Sequence, residues 1–416
     1  MNILRRLVII SWNQAIYFFF GIIIFFSIPG FKFIPNDPEF ERVRDIYINI
    51  HKTIPLAIPA VLLILCLLFL LWTWKVRKIS PVPVIYFLGG DAFVFLSLTP
   101  LGISYGPPLV PLLCLWLLRL VISYLMVWLC KKINTSAKLS LISVILVNII
   151  ILGFMGYSLL IEPFALKSPA VFVRSDKLSG MSKPVKILHI SDIHMERETK
   201  RERKILDILK REKPDLILMS GDYLNLSYID DEKSTSDFIK LIRAFSASLG
   251  VYAVGGSIEY YIMDKKVLFE GSQVRLLMNE KVDIHAGNRS IELYGITLSN
   301  NLDSDRVVLS QLMRESDPAK FRILLYHTPD LFPEAAQAGI DLIVSGHTHG
   351  GQLCLPLIGP IFTASVYGRK YAGGIYHQNN ATMIVSRGIG MEGYDAPRAR
   401  LLSPPEIPVI IITGVD

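Results

Sequence analysis

Two unlike parts are predicted from the 416 residues: an all-α, multi-span transmembrane region over 1–165 and an α/β domain over 185–416, joined by a linker at 166–184. Three observations carry this. Hydrophobic residues make up 51% of the chain and charged residues 19%, with a mean hydropathy of +0.44, which excludes a disordered chain and is too apolar for a wholly soluble one. The net charge of +7 lies entirely on one side, because residues 1–165 hold 13 Lys and Arg against 6 Asp and Glu, leaving 30 of each in the remainder. Beyond residue 185, short apolar runs alternate with amphipathic stretches, the pattern of a sheet with helices outside it.

The charge split decides between two readings of the basic pI of about 9.0. A nucleic-acid binder would carry its basic excess on a polar domain. Here the excess sits among apolar runs, so it reads as membrane topology, and no nucleic-acid partner is expected. Five runs approach the ~20 residues that a spanning helix needs: 7–28, 54–74, 83–103, 107–130 and 139–161. The first is too long for a signal peptide and lacks a small-residue cleavage site. The third is weakened by Gly89, Gly90 and Asp91, and the fourth holds one charge, Arg119. Asp91 and Arg119 fall on consecutive spans joined by a Gly-Pro-Pro turn, and charges in lipid pair or mark a function; a structural ion pair is expected.

Lys and Arg in short loops orient such a region. With the N-terminus inside, the inner segments hold Arg5, Arg6, Lys75, Arg77, Lys78, Lys131, Lys132 and Lys138, against Lys32, Arg42, Arg44 and Lys52 outside. This eight-to-four split predicts a multi-pass protein of the cell membrane with its polar half extracytoplasmic. The four cysteines do not fix the compartment, since Cys354 alone lies in the polar half and no CxxC spacing occurs.

In the polar half, strands are expected at 185–191, 215–220, 251–254, 282–285, 291–296, 322–326, 342–345, 382–386 and 409–413, with helices at 201–213 and 238–249. Several strands end in metal-competent residues: Asp192-Ile-His194, Gly221-Asp222, His327, and Gly346-His347-Thr-His349-Gly-Gly-Gln352. Four of the eight histidines fall in these motifs. Mixed carboxylate and imidazole donors suit Mn, Fe or Zn, whereas calcium takes oxygen alone. A pair of metals needs a bridging carboxylate and two further donor sets, which this series can supply. Gly221 and Gly346 permit the sharp turns that leave a side chain facing a cleft. His189 and His285 are expected to be structural.

The order and spacing of these motifs resemble the calcineurin-like metallophosphoesterases. The Gly-His-Thr-His-Gly-Gly-Gln run, with Tyr367–Tyr376 and Val385–Gly390 after it, is similar to the membrane-anchored, YkuE-like bacterial branch. The resemblance covers about residues 185–413 and implies a four-layer α/β/β/α sandwich. It implies that Asp192, His194 and His349 hold a first divalent metal, that Asp222 bridges, and that His327 and His347 hold a second. The implied activity is hydrolysis of a phosphate mono- or diester by a hydroxide between two metals, on a lipid or envelope phosphate given the membrane tether.

One loop departs from the family. Where it has Gly-Asn-His followed by an acid, this chain has Gly256-Ser257-Ile258-Glu259. The Asn that would ligate the second metal is Ser257, and the His that would contact phosphate is Ile258, which can do neither job. Ser257 with water completes the second site, or Glu259 swings in as ligand or acid, or the second site is weak and activity is impaired, leaving a metal-binding sensor or scaffold. Asp222, Ser257 and Glu259 are therefore the candidate catalytic residues.

Overall fold

The structure, a computed structural model, describes residues 63–71, 82–98, 109–360, 362–392 and 398–415. Residues 63–71 are helical, and α1 (Val82–Leu98), α2 (Leu109–Lys132) and α3 (Ala137–Gly156) follow. Ser136 caps α3 by accepting from Leu139 N, and at its other end the helix runs on through a π turn and a 3₁₀ turn to Phe164. Among the described residues, two helices are long and apolar enough to cross a membrane, Leu112–Lys132 and Ala137–Phe164. They fall on the runs at 107–130 and 139–161. The run at 83–103 forms α1, whose apolar stretch Val84–Val94 is described, while residues 99–108 lie outside the described residues. The run at 7–28 and most of that at 54–74 lie outside the described residues.

Asp91 and Arg119 do meet. The guanidinium donates through Nε to Asp91 Oδ2 at 2.5 Å and through Nη2 to Oδ1 at 2.7 Å, a bidentate pair with both side chains fully buried. The remaining Arg119 nitrogen, Nη1, donates to the backbone and side-chain oxygens of Asn148, which itself donates to Ser123 Oγ and Val144 O. Every arm of the guanidinium thus has an acceptor, and the network ties α1, α2 and α3 together where apolar packing alone would leave their register free.

From residue 170 onward the chain forms two six-stranded sheets. The first runs β1 (Ala170–Ser175), β14 (Val409–Gly414), β2 (Val185–Ile190), β3 (Leu216–Met219), β4 (Val251–Ala253), β5 (Val274–Leu276). The second runs β12 (Gly374–Gln378), β13 (Ala381–Val385), β9 (Leu342–Ser345), β8 (Phe321–Tyr326), β7 (Arg289–Ile296), β6 (Glu280–Ala286). The strands β2 to β5 are mutually parallel, as are β7, β8, β9 and β13.

Side chains alternate between two buried faces, which is why the strands read as unbroken apolar runs. Ile187, Leu216, Leu218, Ile323, Leu325, Leu342 and Val344 pack between the sheets. Leu188, Ile190, Ile217 and Met219 point the other way, under α4 (Lys200–Glu212) and α5 (Glu232–Ile242). Leu324, Tyr326 and Ile343 point outward under α6 (Leu302–Met313) and α7 (Phe332–Gln337). The order of layers is therefore helix, sheet, sheet, helix.

All nine expected strands are present to within two residues. Three differences have local causes. The stretch 166–184, expected as a linker, contributes β1, whose Val171 and Val173 face inward while Phe172 is exposed; the outward phenylalanine hides the alternation. The second helix begins at Glu232 rather than 238, because the Asp231 side chain caps it by accepting from Ser234 N, and it ends at Ile242, short of the expected 249. Strands β5, β10 (Cys354–Leu355), β11 (Gly359–Pro360) and β12 are short or edge strands beyond the nine expected, β10 and β11 forming a small hairpin.

The buried ion pair gives a direct expectation. Asp91→Ala strands the Arg119 charge inside the helix bundle and should destabilise the full chain in detergent by about 3–5 kcal/mol, read by thermal unfolding, whereas replacing both residues by Leu and Met should cost far less.

Candidate metal centre

The parallel strands of both sheets deliver their C-terminal ends to one edge of the sandwich, and every motif singled out in the sequence sits there. Asp192 and His194 follow β2, Asp222 follows β3, the Gly256–Glu259 loop follows β4, His327 follows β8, and His347 and His349 follow β9. Two groups of donor atoms result, Asp192 with His194 and His349, and Asp222 with His327 and His347, each with its atoms within 4.8 Å of one another. Asp222 Oδ2 lies 3.1 Å from His327 Nε2 and 3.8 Å from His194 Nε2, so this one carboxylate faces both groups.

The backbone is bent to achieve this. Asp192, His194, Asp222, His347 and His349 all have φ between 43° and 69°, a left-handed region that costs a non-glycine residue about 1 kcal/mol or more and clusters at functional sites. Gly221 turns at φ 110° as the sequence suggested. Gly346 serves differently: it has no positive φ, but a Cβ there would fall onto Ser191 Oγ and Asp192 Oδ2, so glycine is required for close approach.

Ring orientations test whether the site fits metal ions. His327 Nδ1 lies 2.8 Å from Ser220 O, and His347 Nε2 lies 3.1 Å from Ala364 O. Carbonyl oxygens only accept, so these nitrogens carry the protons. The nitrogens facing each other, His327 Nε2 and His347 Nδ1 at 3.1 Å, are then the ones turned toward the Asp222 carboxylate and toward any metal ion held there. His194 Nε2 and His349 Nε2 approach to 3.0 Å, but here, among the described residues, no carbonyl fixes the outer nitrogens: His349 Nδ1 accepts from the Arg400 guanidinium, and His194 Nδ1 is buried without a protein partner. In the Asp222 group, inner imidazole nitrogens converging on a carboxylate, with outer nitrogens fixed by backbone carbonyls, form a donor set for a divalent transition metal.

The electrostatics agree. Burial alone would raise Asp222, but the neighbouring His327 and His194 hold it well below the usual carboxylate range. Burial would lower His327, yet the Asp222 carboxylate outweighs it and lifts this ring to about 9. His347 is lowered to about 4 by burial and then by His327, and His349 is pushed well down by burial and the nearby His194. Asp222 is thus held ionised, with the His327 ring drawn toward its charged form beside it and the His347 and His349 rings kept neutral.

In the variant loop, Glu259 is fully buried, and its carboxylate accepts from Asp222 N at 2.9 Å, Tyr223 N at 2.9 Å and Gly256 N at 2.8 Å. Both oxygens are committed to backbone amides, so Glu259 latches the β4 loop to the β3 loop. Ser257 Oγ lies 3.0 and 2.8 Å from the two Asp222 oxygens, and Ile258 N donates to Oδ1 at 2.9 Å. The Ile258 side chain, 3% exposed, belongs to the apolar core under α4 and α5. The loop therefore positions Asp222 by its backbone and by Ser257.

His189 and His285 stand outside the donor groups. His285 is exposed on β6. His189 is buried, lowered to about 3 by that burial, and its Nε2 reaches Ser220 Oγ, which donates to Ser191 Oγ, which donates in turn to Asp192. Two supporting residues escaped the sequence reading. Arg400 is fully buried, its Nη2 3.3 Å from His349 Nδ1, with Nη1 on Ser403 O and Nε on Gly390 O. Glu162, in the turn that ends the α3 span, accepts from Leu402 N at 2.9 Å and Ser403 N at 2.6 Å, and Ser403 Oγ donates to the His349 carbonyl. These partners lie 51 and 240 residues apart in sequence, and no local pattern announces them.

Comparison with known proteins follows the same lines. A family model described as calcineurin-like phosphoesterase matches residues 185–351. An uncharacterized metallophosphoesterase from Aquifex aeolicus is 30% identical over 270 residues, covering 61% of this chain and 94% of the relative. The uncharacterized metallophosphoesterase YkuE from Bacillus subtilis is 29% identical over 273 residues, covering 64% and 91%. The phosphodiesterase YaeI from Escherichia coli is 28% identical over 215 residues, covering 50% and 76%. With the strand-end donor groups and these relatives in agreement, the chain belongs to the calcineurin-like metallophosphoesterase family.

Proposed function

We propose that this protein is a membrane-anchored, metal-dependent phosphoesterase that hydrolyses a phosphate mono- or diester. The observation that carries the reading is the meeting of two three-residue donor groups around Asp222. On it, Asp192, His194 and His349 hold one divalent ion (Mn, Fe or Zn), His327 and His347 hold the other, and Asp222 stands between them. Two such ions supply Lewis-acid polarisation of the phosphate and a water of lowered pKa. The chain's own residues fix the donors: Ser257 and Ile258 N orient Asp222, Glu259 latches the loop that presents them, and Arg400 backs His349. With Ile258 turned into the core, this loop offers no imidazole to protonate a leaving group, a step worth typically ~10²–10⁴-fold. The fitting substrate is therefore an ester with a good leaving group.

A second reading, a metal-binding sensor or scaffold without turnover, draws on the same loop. Hydrolysis of bis-p-nitrophenyl phosphate by the full chain in Mn²⁺ separates the two. Turnover abolished by Asp222→Asn supports the enzyme; bound metal without any turnover supports the scaffold. In either case adding Mn²⁺ at 100 times its Kd to chelated protein should stabilise it by about 2.7 kcal/mol, seen as a rise in Tm. Glu259→Gln places an amide donor against backbone N–H groups and should cost about 1–3 kcal/mol, with hydrolysis falling alongside because Asp222 loses its support.

For placement, residues 1–165 form the membrane region in this proposal and the phosphoesterase domain lies on the extracytoplasmic side of a multi-pass chain. The positive-inside split and the two candidate spans support it. A reporter active only outside the cytoplasm, fused after residue 416, should be active; a silent fusion, with a cytoplasmic reporter active in its place, would reject this orientation.

A further inference from the structure

The chain leaves the metal centre after His349, runs out through the β10–β11 hairpin, and returns at Ala364, whose carbonyl holds His347. The hairpin is closed by Cys354 opposite Pro360 and Leu355 opposite Gly359. Its turn and return limb are apolar and open to solvent: Leu355 is 41% exposed, Ile358 59%, Phe362 53% and Val366 55%, and Leu357 at the tip is fully exposed. Leu357 also has φ 66°, where a turn would ordinarily use glycine or asparagine. A bulky leucine in a left-handed tip, fully presented to the outside, serves neither packing nor turn geometry.

Two observations say what this surface meets. At its foot, Leu353 packs against a cluster of Ala399 with Leu112, at the start of one candidate span, and Met155 and Leu159, near the end of the other. The hairpin therefore rises from the rim where the spans enter the domain, and Leu159 lies five residues before the end of its span. Beside the hairpin stand two exposed cations. Arg369 donates to Ile358 O at 3.2 Å and Pro360 O at 3.3 Å, and Lys370 lies over the Tyr367 and Tyr371 rings. An apolar tip with basic and aromatic residues behind it matches the acyl-to-headgroup boundary of an anionic bilayer.

We infer that the β10–β11 hairpin dips into the outer layer of the bilayer and holds the metal centre against the membrane surface, so that the enzyme acts on phosphoesters carried by lipids. The inference rests on the phosphoesterase reading above and names its substrate class.

The test uses the full chain in anionic phospholipid vesicles. A Leu357→Cys variant, with the four native cysteines replaced, carries a nitrobenzoxadiazole label at the tip. Expected is a label quenched by doxyl groups on acyl chains and shielded from aqueous iodide. A label open to iodide and untouched by doxyl lipid overturns the inference, as does energy transfer between labels on neighbouring copies without doxyl quenching, which would make the hairpin a self-association surface. Separately, Leu357→Asp with Ile358→Asp is assayed on a p-nitrophenyl phosphodiester in solution and on the same ester carried by diacylglycerol in vesicles. A loss of tenfold or more on the vesicle substrate, with the soluble rate within twofold, supports it; equal effects on both overturn it. Should the wild type cleave neither ester, the phosphoesterase reading falls, while the label still decides where the hairpin sits.

Discussion

Both halves of the sandwich are locked together around the carboxylate of Asp222. It reaches toward His327 from the second sheet and toward His194 from its own, accepts Ile258 N and the Ser257 hydroxyl, and gives its backbone N–H to Glu259. Nothing in the hydrophobic core requires two sheets to register their edges to within an ångström; packing between apolar faces is tolerant of sliding. A shared charge with directional partners is not. The left-handed backbone at five of the six donor residues is held against its own preference by these partners, so the geometry of the site is also the geometry that aligns the sheets.

Much of this was legible in the sequence, for identifiable reasons. The strands announce themselves because both their faces are buried, so Val185–Ile190 and Phe321–Tyr326 read as continuous apolar runs. The donors are legible because parallel strands place whatever follows them at one edge, and Asp-x-His, Gly-Asp and Gly-His-x-His each follow a strand. What stayed hidden is orientation and long-range contact. Glu259 had the right residue type in the right place for chemistry, and only its three amide partners show that it is spent on holding the loop. Ile258 looked like a missing group in the cleft, whereas its side chain fills the core. β1 was lost because one outward phenylalanine broke the alternation.

The apolar half shows the complementary logic. Its helices present Leu146, Ile149 and Ile150 outward and keep Asp91, Arg119 and Asn148 inside. In lipid, apolar side chains do not discriminate between helix neighbours and solvent, so the helices are keyed by their few polar groups. The metal-bearing half is organised in the same way, with featureless apolar layers supplying cohesion and a handful of paired charges deciding position.

Glu162 has a consequence for how this molecule can be divided. It belongs by sequence to the end of an apolar helix, yet it grips the backbone of Leu402 and Ser403, and Ser403 in turn holds the carbonyl of His349. A soluble fragment cut at the apparent domain boundary near residue 165 would leave the Leu402 and the buried Ser403 amides without their acceptor, directly behind a donor residue. Such a fragment is a different protein at its reactive end, and its kinetics would describe the cut as much as the enzyme. For this chain the apolar helix ending at Phe164 helps to support the site, and measurements that separate them change what is being measured.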